Sequence, residues 1–109
     1  MDVGIDVTRA VGLFVAAQSG DVERVRALLP PYGDAVVDGP PAAPGGVTPL
    51  MIAAAGGHEA VVEVLLQRGA DPARRGARGR SAAFYARVAG HPDLANRLDT
   101  VVDQEKTIW

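Results

Sequence analysis

The stretch Thr48-Pro49-Leu50-Met51-Ile52-Ala53-Ala54-Ala55-Gly56-Gly57-His58 decides the reading of this chain, because the chain repeats it. Thirty-three residues on stands Ser81-Ala82-Ala83-Phe84-Tyr85-Ala86-Arg87-Val88-Ala89-Gly90-His91. Ala53 meets Ala86, Gly57-His58 meets Gly90-His91, and further along Leu65 meets Leu98. A third copy lies upstream, Leu13-Phe14-Val15-Ala16-Ala17-Gln18-Ser19-Gly20-Asp21, followed by Val25 and Leu28-Leu29. Its offset to the middle copy is 37, so the first connection is four residues longer. Self-similarity at this period marks stacked units that cannot bury their apolar faces alone.

Each copy carries the same plan. A short apolar helix comes first and is stopped by a glycine, which enters the left-handed region without a Cβ clash. A second helix follows, with apolar residues at Val61, Val62, Leu65 and Leu66 on one stripe at 3.6 residues per turn. Gly69-Ala70-Asp71-Pro72 then ends it. Thr48 is suited to cap the first helix and Pro49 to occupy its first position, where a missing N–H costs nothing. Ser81 repeats the cap, Asp21 is placed to cap the second helix of the first copy, and Pro92 to open that of the last. Between the first and middle copies, Pro30–Gly46 (PPYGDAVVDGPPAAPGG) holds five of the eight prolines and reads as a loop.

These residues resemble the ankyrin repeat. Val47-Thr48-Pro49-Leu50, Ala53-Ala54, Gly57-His58, Val61-Val62, Leu65-Leu66 and Gly69-Ala70-Asp71 follow that family's pattern at its spacing, and the resemblance covers roughly Thr8 to Asp99. It implies an all-α solenoid of about three stacked helix-turn-helix repeats, with loop fingers and a helical C-terminal extension. The expected boundaries are repeats at about 8–29, 46–71 and 79–99, a Pro/Gly-rich loop at 30–46 and a tail at 100–109, all in one domain. The departures matter too. Met51 replaces the family's usual His, so the imidazole bonds made from that position are missing. Val11-Gly12-Leu13 and Ser81-Ala82-Ala83 replace Thr-Pro-Leu, and Gly76 replaces a loop Asp. Asp99 sits at the stripe position of Leu66, which fits an exposed end of a stack.

The resemblance also implies a function: such repeats bind other proteins through finger tips and exposed inner-helix positions. Carried over, those positions are Pro44, Gly45 and Val47 on one finger, Ala77, Arg78 and Arg80 on the next, and Gln18, Ser19, Ala55, Gly56, Val88 and Ala89 on the inner helices. Arg78 and Arg80 belong to Arg74-Arg75-Gly-Ala-Arg78-Gly-Arg80, four arginines within seven residues and no acid. A guanidinium presents five donors in a planar fork suited to carboxylates. The finger is therefore read as an anchor for an acidic partner surface, against the alternative of a solvated loop in an Arg-rich chain.

Composition bounds the remaining classes. At 109 residues the chain holds one modest core. Its net charge of −2 argues against nucleic acid, which calls for a basic face. The absence of cysteine excludes disulfides and thiolate chemistry and fits a reducing, cytoplasmic setting. Ten of eleven bases are Arg, a composition like that of a GC-rich bacterial genome. The apolar run Val11–Ala17 is too short for a membrane span and lacks the positive flank of a targeting signal. His58 and His91 recur 33 apart but gather no acids at ligand spacing, and are read as local backbone partners rather than metal ligands. No nucleophile–base–acid set and no phosphate loop appears, so neither an enzyme nor a cofactor is expected. Asp34 and Asp38 lie in the loop beside Val36-Val37, which is expected to tuck it against the stack. Phe84 and Tyr85 read as core, Tyr85 with its hydroxyl toward the inner face. Thr107-Ile108-Trp109 either folds back as a lid or docks into another chain, which leaves a monomer or a weak homodimer as the expected states.

Overall fold

The computed structural model describes residues 2–29, 47–76 and 79–106, and within them six helices. They are α1 (Asp2–Ser19), α2 (Val22–Leu28), α3 (Pro49–Ala55), α4 (Glu59–Gln67), α5 (Ala82–Val88) and α6 (Pro92–Lys106). They form three antiparallel pairs. The first helices α1, α3 and α5 lie side by side in one layer, and α2, α4 and α6 back them. No strand occurs among the described residues.

The helix ends explain why the unit recurs. After α1, Asp21 N–H donates to Ala16 O and Gly20 N–H to Ala17 O; after α3, His58 donates to Ala53 and Gly57 to Ala54; after α5, His91 donates to Ala86 and Gly90 to Arg87. That is one and the same two-bond cap three times, with the glycine at positive φ satisfying carbonyls the helix leaves orphaned. The end of α4 uses it too, through Ala70 to Leu65 and Gly69 to Leu66. Each turn therefore reverses the chain in the same way, and identical reversals stack.

The starts vary more. Asp21 accepts from Arg24 N–H at 3.2 Å, and Thr48 accepts from Met51 N–H at 3.3 Å. The Met51 thioether accepts in return from Thr48 N–H at 3.4 Å, closing a reciprocal cap on a buried threonine. The methionine thus replaces part of what a histidine would do locally. Ser81 departs from expectation: it stands at the cap position with extended backbone, but its hydroxyl makes no capping bond.

The core joins all three repeats: Leu13, Ala16, Ala17 and Val25; Leu50, Ala53, Ala54, Val62 and Leu65; Ala83, Ala86, Leu94 and Leu98. Alanines at Ala16, Ala17, Ala53, Ala54, Ala83 and Ala86 let the inner helices approach closely, and leucines and valines of both layers fill the space between them. Burying one leucine or valine side chain stabilises the fold by roughly 1.5–3 kcal/mol relative to leaving it in water.

The terminal helices run beyond the repeat boundaries, and the stripe of α4 is turned. Helix α1 starts at Asp2, ahead of the expected repeat boundary near residue 8. Extending a helix already nucleated downstream adds one bond per residue fixed and needs no new nucleus. Val64 is buried while Leu66 is only partly so, so the stripe of α4 is broader and turned toward Val64. Helix α6 continues through Lys106, which is the helical C-terminal extension that the resemblance implies. The loop at 30–46 and Thr107-Ile108-Trp109 lie outside the described residues.

Candidate functional site: the inner-helix groove and the arginine finger

Because the repeats are in phase, equivalent residues form rungs across the inner layer. One rung is Val15, Ile52 and Tyr85; another is Gln18, Ala55 and Val88. The axes of neighbouring packed helices stand about 8–10 Å apart, which sets the spacing along each rung. Val15 and Val88 are exposed, Val88 most of all at 71%. Ile52, Ala55 and Tyr85 are half-buried.

Between the rungs runs an open groove of about 310 Å³, lined by Gln18, Val47, Met51, Ile52, Ala55, Gly56 and Tyr85. Most of its wall is apolar. Alanine and glycine at positions 55 and 56 create the space, and Val47 forms one rim while packing against the core.

Beside the groove a histidine bridges two repeats. His58 lies against Gly20 and Gly56, and a carbon added at Gly20 would stand 2.6 Å from the ring Nδ1. His58 Nε2 lies 3.1 Å from Gln18 O, and since a carbonyl only accepts, Nε2 carries the proton. His91 occupies the equivalent place against Gly57. The bond of His58 therefore joins two repeats, where a local backbone partner was expected. Among the described residues no group of three His, Asp or Glu side chains gathers that could hold a metal ion.

The finger before α5 is turned by bonds of its own, Gly79 N–H to Gly76 O at 2.9 Å and Gly76 N–H to Arg80 O at 3.1 Å. Arg75 Nη1 donates to Gly79 O at 2.9 Å. Arg80 stands one repeat on from Val47, with its guanidinium carbon 4.9 Å from the centre of the Phe84 ring. Phe84 meets Tyr85 edge to face at 6.1 Å, which links the arginine to the groove wall. Phe84 and Tyr85 are thus half-buried and shared between surface and core.

Of the residues picked out from sequence, Gln18, Val47, Ala55 and Gly56 meet in the groove. Val88 and Ala89 are exposed at the end of α5, beyond it. Ser19 is exposed, but its hydroxyl turns back to Val15 O at 2.8 Å. Arg74 and Arg75 are exposed and Arg80 half-buried, on the neighbouring finger. Ala77, Arg78, Pro44 and Gly45 lie outside the described residues. Met51 and Ile52, which the sequence reading did not single out as contact residues, also line the groove. Their repeat register with Val15 and Tyr85 is the signal that marks Ile52 as a groove residue.

The pattern that defines ankyrin repeats, in three copies, matches residues 13–100. The chain belongs to the ankyrin-repeat family. Ankyrin repeats are generally protein–protein interaction modules, and the groove lies on their inner-helix face. Among curated relatives, the ARF GTPase-activating protein GIT1 of Homo sapiens is 47% identical over 53 residues, covering 49% of this chain and 7% of that protein. The corresponding GIT2 protein of Mus musculus is 42% identical over 53 residues, covering 49% of this chain and 8% of its own length. The ankyrin chain thus matches less than a tenth of these relatives. Among its described residues no helix is long and apolar enough to cross a membrane.

Proposed function

We propose that this ankyrin-repeat chain is a single protein-binding domain, an adaptor, inhibitor or accessory protein without catalysis of its own. Its partner seats on the inner-helix groove and the arginine finger. The observation that carries this reading is the groove itself: an open, largely apolar trough of about 310 Å³ whose walls come from three repeats. Core-grade apolar groups left accessible beside fixed cations are what a recognition surface needs, and a stack held together by buried alanines does not require them.

The contact set is Gln18, Ser19, Val47, Val88, Arg74, Arg75, Arg78 and Arg80. The GTPase-activating activity in the relatives' names is not carried over, because the match covers 7–8% of those proteins. A cytoplasmic setting rests on the lack of cysteine, and a bacterial source on the preference for Arg over Lys.

The test is affinity capture from the source lysate with the full chain, beside the Ala55→Trp and Arg80→Glu variants, with helicity checked by circular dichroism. A stoichiometric partner lost with either folded variant supports the reading. A partner retained by both places binding elsewhere and sinks this surface.

A further inference from the structure

The binding reading leaves the partner's chemistry open, and the distribution of charge along the stack narrows it. From Pro72 to Pro92 the chain carries five arginines and no acid, within a protein of net charge −2. One of the five, Arg87, is engaged with Asp99. The others belong to the finger. Arg75 is held in place by the carbonyl of Gly79 and Arg80 by the face of Phe84. A cation held by its own neighbours loses less side-chain freedom when a partner arrives. Arg80 also occupies the position one repeat on from Val47, so its positive charge belongs to the finger next to the groove rim.

The groove supplies the second half of the pattern. Its apolar wall of Val47, Met51, Ile52 and Ala55 offers no charge to pair, and its volume is at the lower limit of ligand pockets. One large side chain fills it.

Resting on the binding-module reading above, we infer that the groove takes the single bulky apolar residue of a linear peptide segment in the partner, with Asp or Glu placed a few residues away against Arg80 and Arg75. Burial of the anchor supplies most of the affinity. The carboxylates set direction along the stack and quicken encounter, as rim charges do. A nucleic acid would use the arginines and leave the apolar groove empty.

The experiment is selection of a phage-displayed random peptide library on the full chain, followed by affinity measurement on the enriched peptides and on a single-stranded oligonucleotide. Enriched peptides are expected to share a bulky apolar residue with a nearby acid. Ala55→Trp, which fills the groove, should weaken them about tenfold or more. Arg80→Glu should weaken them about tenfold at low salt and less at high salt, and should shift selection toward basic residues. Should Ala55→Trp fail to fold, Arg80→Glu alone decides. Enriched peptides without acids, or indifferent to both variants, overturn this inference and leave the binding module standing. An oligonucleotide that outcompetes every peptide overturns it in favour of nucleic acid. An unenriched library overturns it as well, and with a blank lysate capture the broader reading also falls.

Discussion

Arg87 Nη2 donates to Asp99 Oδ2 at 2.7 Å across α5 and α6, and the two residues stand where the middle repeat has Ala54 and Leu66. In the middle repeat those positions face the next repeat: Ala54 is fully buried and Leu66 partly so. In the third repeat they are 54% and 52% exposed and bonded to each other. Exposed ion pairs contribute about 0–1 kcal/mol, so the pair does little for stability. It makes the outward face of the third repeat polar where another repeat would need it apolar. The double variant Arg87→Ala with Asp99→Leu restores the stacking surface. It should change urea stability by less than about 1 kcal/mol while producing concentration-dependent association in light scattering. A variant that scatters like the unmodified chain would mean the pair does not guard that face.

Leu65 tests the stack itself. It is wholly buried on α4, in a core that joins all three repeats. Leu65→Ala removes its contacts and leaves a cavity that alanine-rich neighbours fill poorly. The expected cost is about 2–5 kcal/mol, a large part of the roughly 5–15 kcal/mol that domains of this kind possess. Urea melts should show the midpoint collapse with little change in slope. A loss below about 1 kcal/mol would contradict the packing described.

The sequence disclosed the repeat because its signals are local and recur. The Thr48-Pro49 start and the Gly57 and Gly90 stops follow from backbone chemistry within one turn, and the Leu65/Leu98 match from the apolar period. What it hid depends on partners far along the chain. His58 was assigned to its own neighbourhood, yet its acceptor is Gln18, forty residues back. Ser81 carries the right side chain for a cap and does not make the bond, because a favourable residue type fixes a capability and not a rotamer. Ile52 was legible as apolar but not as a groove wall, since periodicity places a residue on a face and only packing decides how much of it is covered. The long α1 was missed because the repeat length set the expectation, and helix propagation is indifferent to repeat boundaries.

Gly57 joins two of these constraints. Its φ is +70°, and a Cβ built there would stand 2.6 Å from Cε1 of His91. Gly57→Ala therefore forces a left-handed non-glycine residue and displaces the ring that bridges to the next repeat. Backbone strain of this kind costs about 1–3 kcal/mol. The steric part should vanish on a His91→Ala background and the backbone part should remain. A double-mutant cycle in urea separates them. Equal costs in both backgrounds would mean that His91 yields freely and does not clasp the repeats.

Glu63 and Arg97 give the pH dependence. The Nε and Nη2 of Arg97 on α6 both donate to the Glu63 carboxylate on α4, the second bond at 2.7 Å, so the pair ties the outer helices of two repeats. The hydrogen bond from Arg97 holds the Glu63 carboxyl below its ordinary 4.5, against the opposing effect of partial burial, and the arginine's charge adds to the lowering. A carboxyl with a lowered folded pKa stabilises the fold fully above its unfolded value and loses that contribution as pH falls through the folded value. The window therefore opens below 4.5. Urea melts of the unmodified chain and of Glu63→Gln should differ by a constant amount at neutral and mildly acidic pH. The difference should shrink steadily below 4.5 as the carboxylate protonates and comes to resemble the amide. Both side chains are substantially exposed, so added salt should reduce the neutral-pH difference as well. A difference that persists undiminished down to about pH 3 would show that the glutamine perturbs packing and that the ion pair is not its cause.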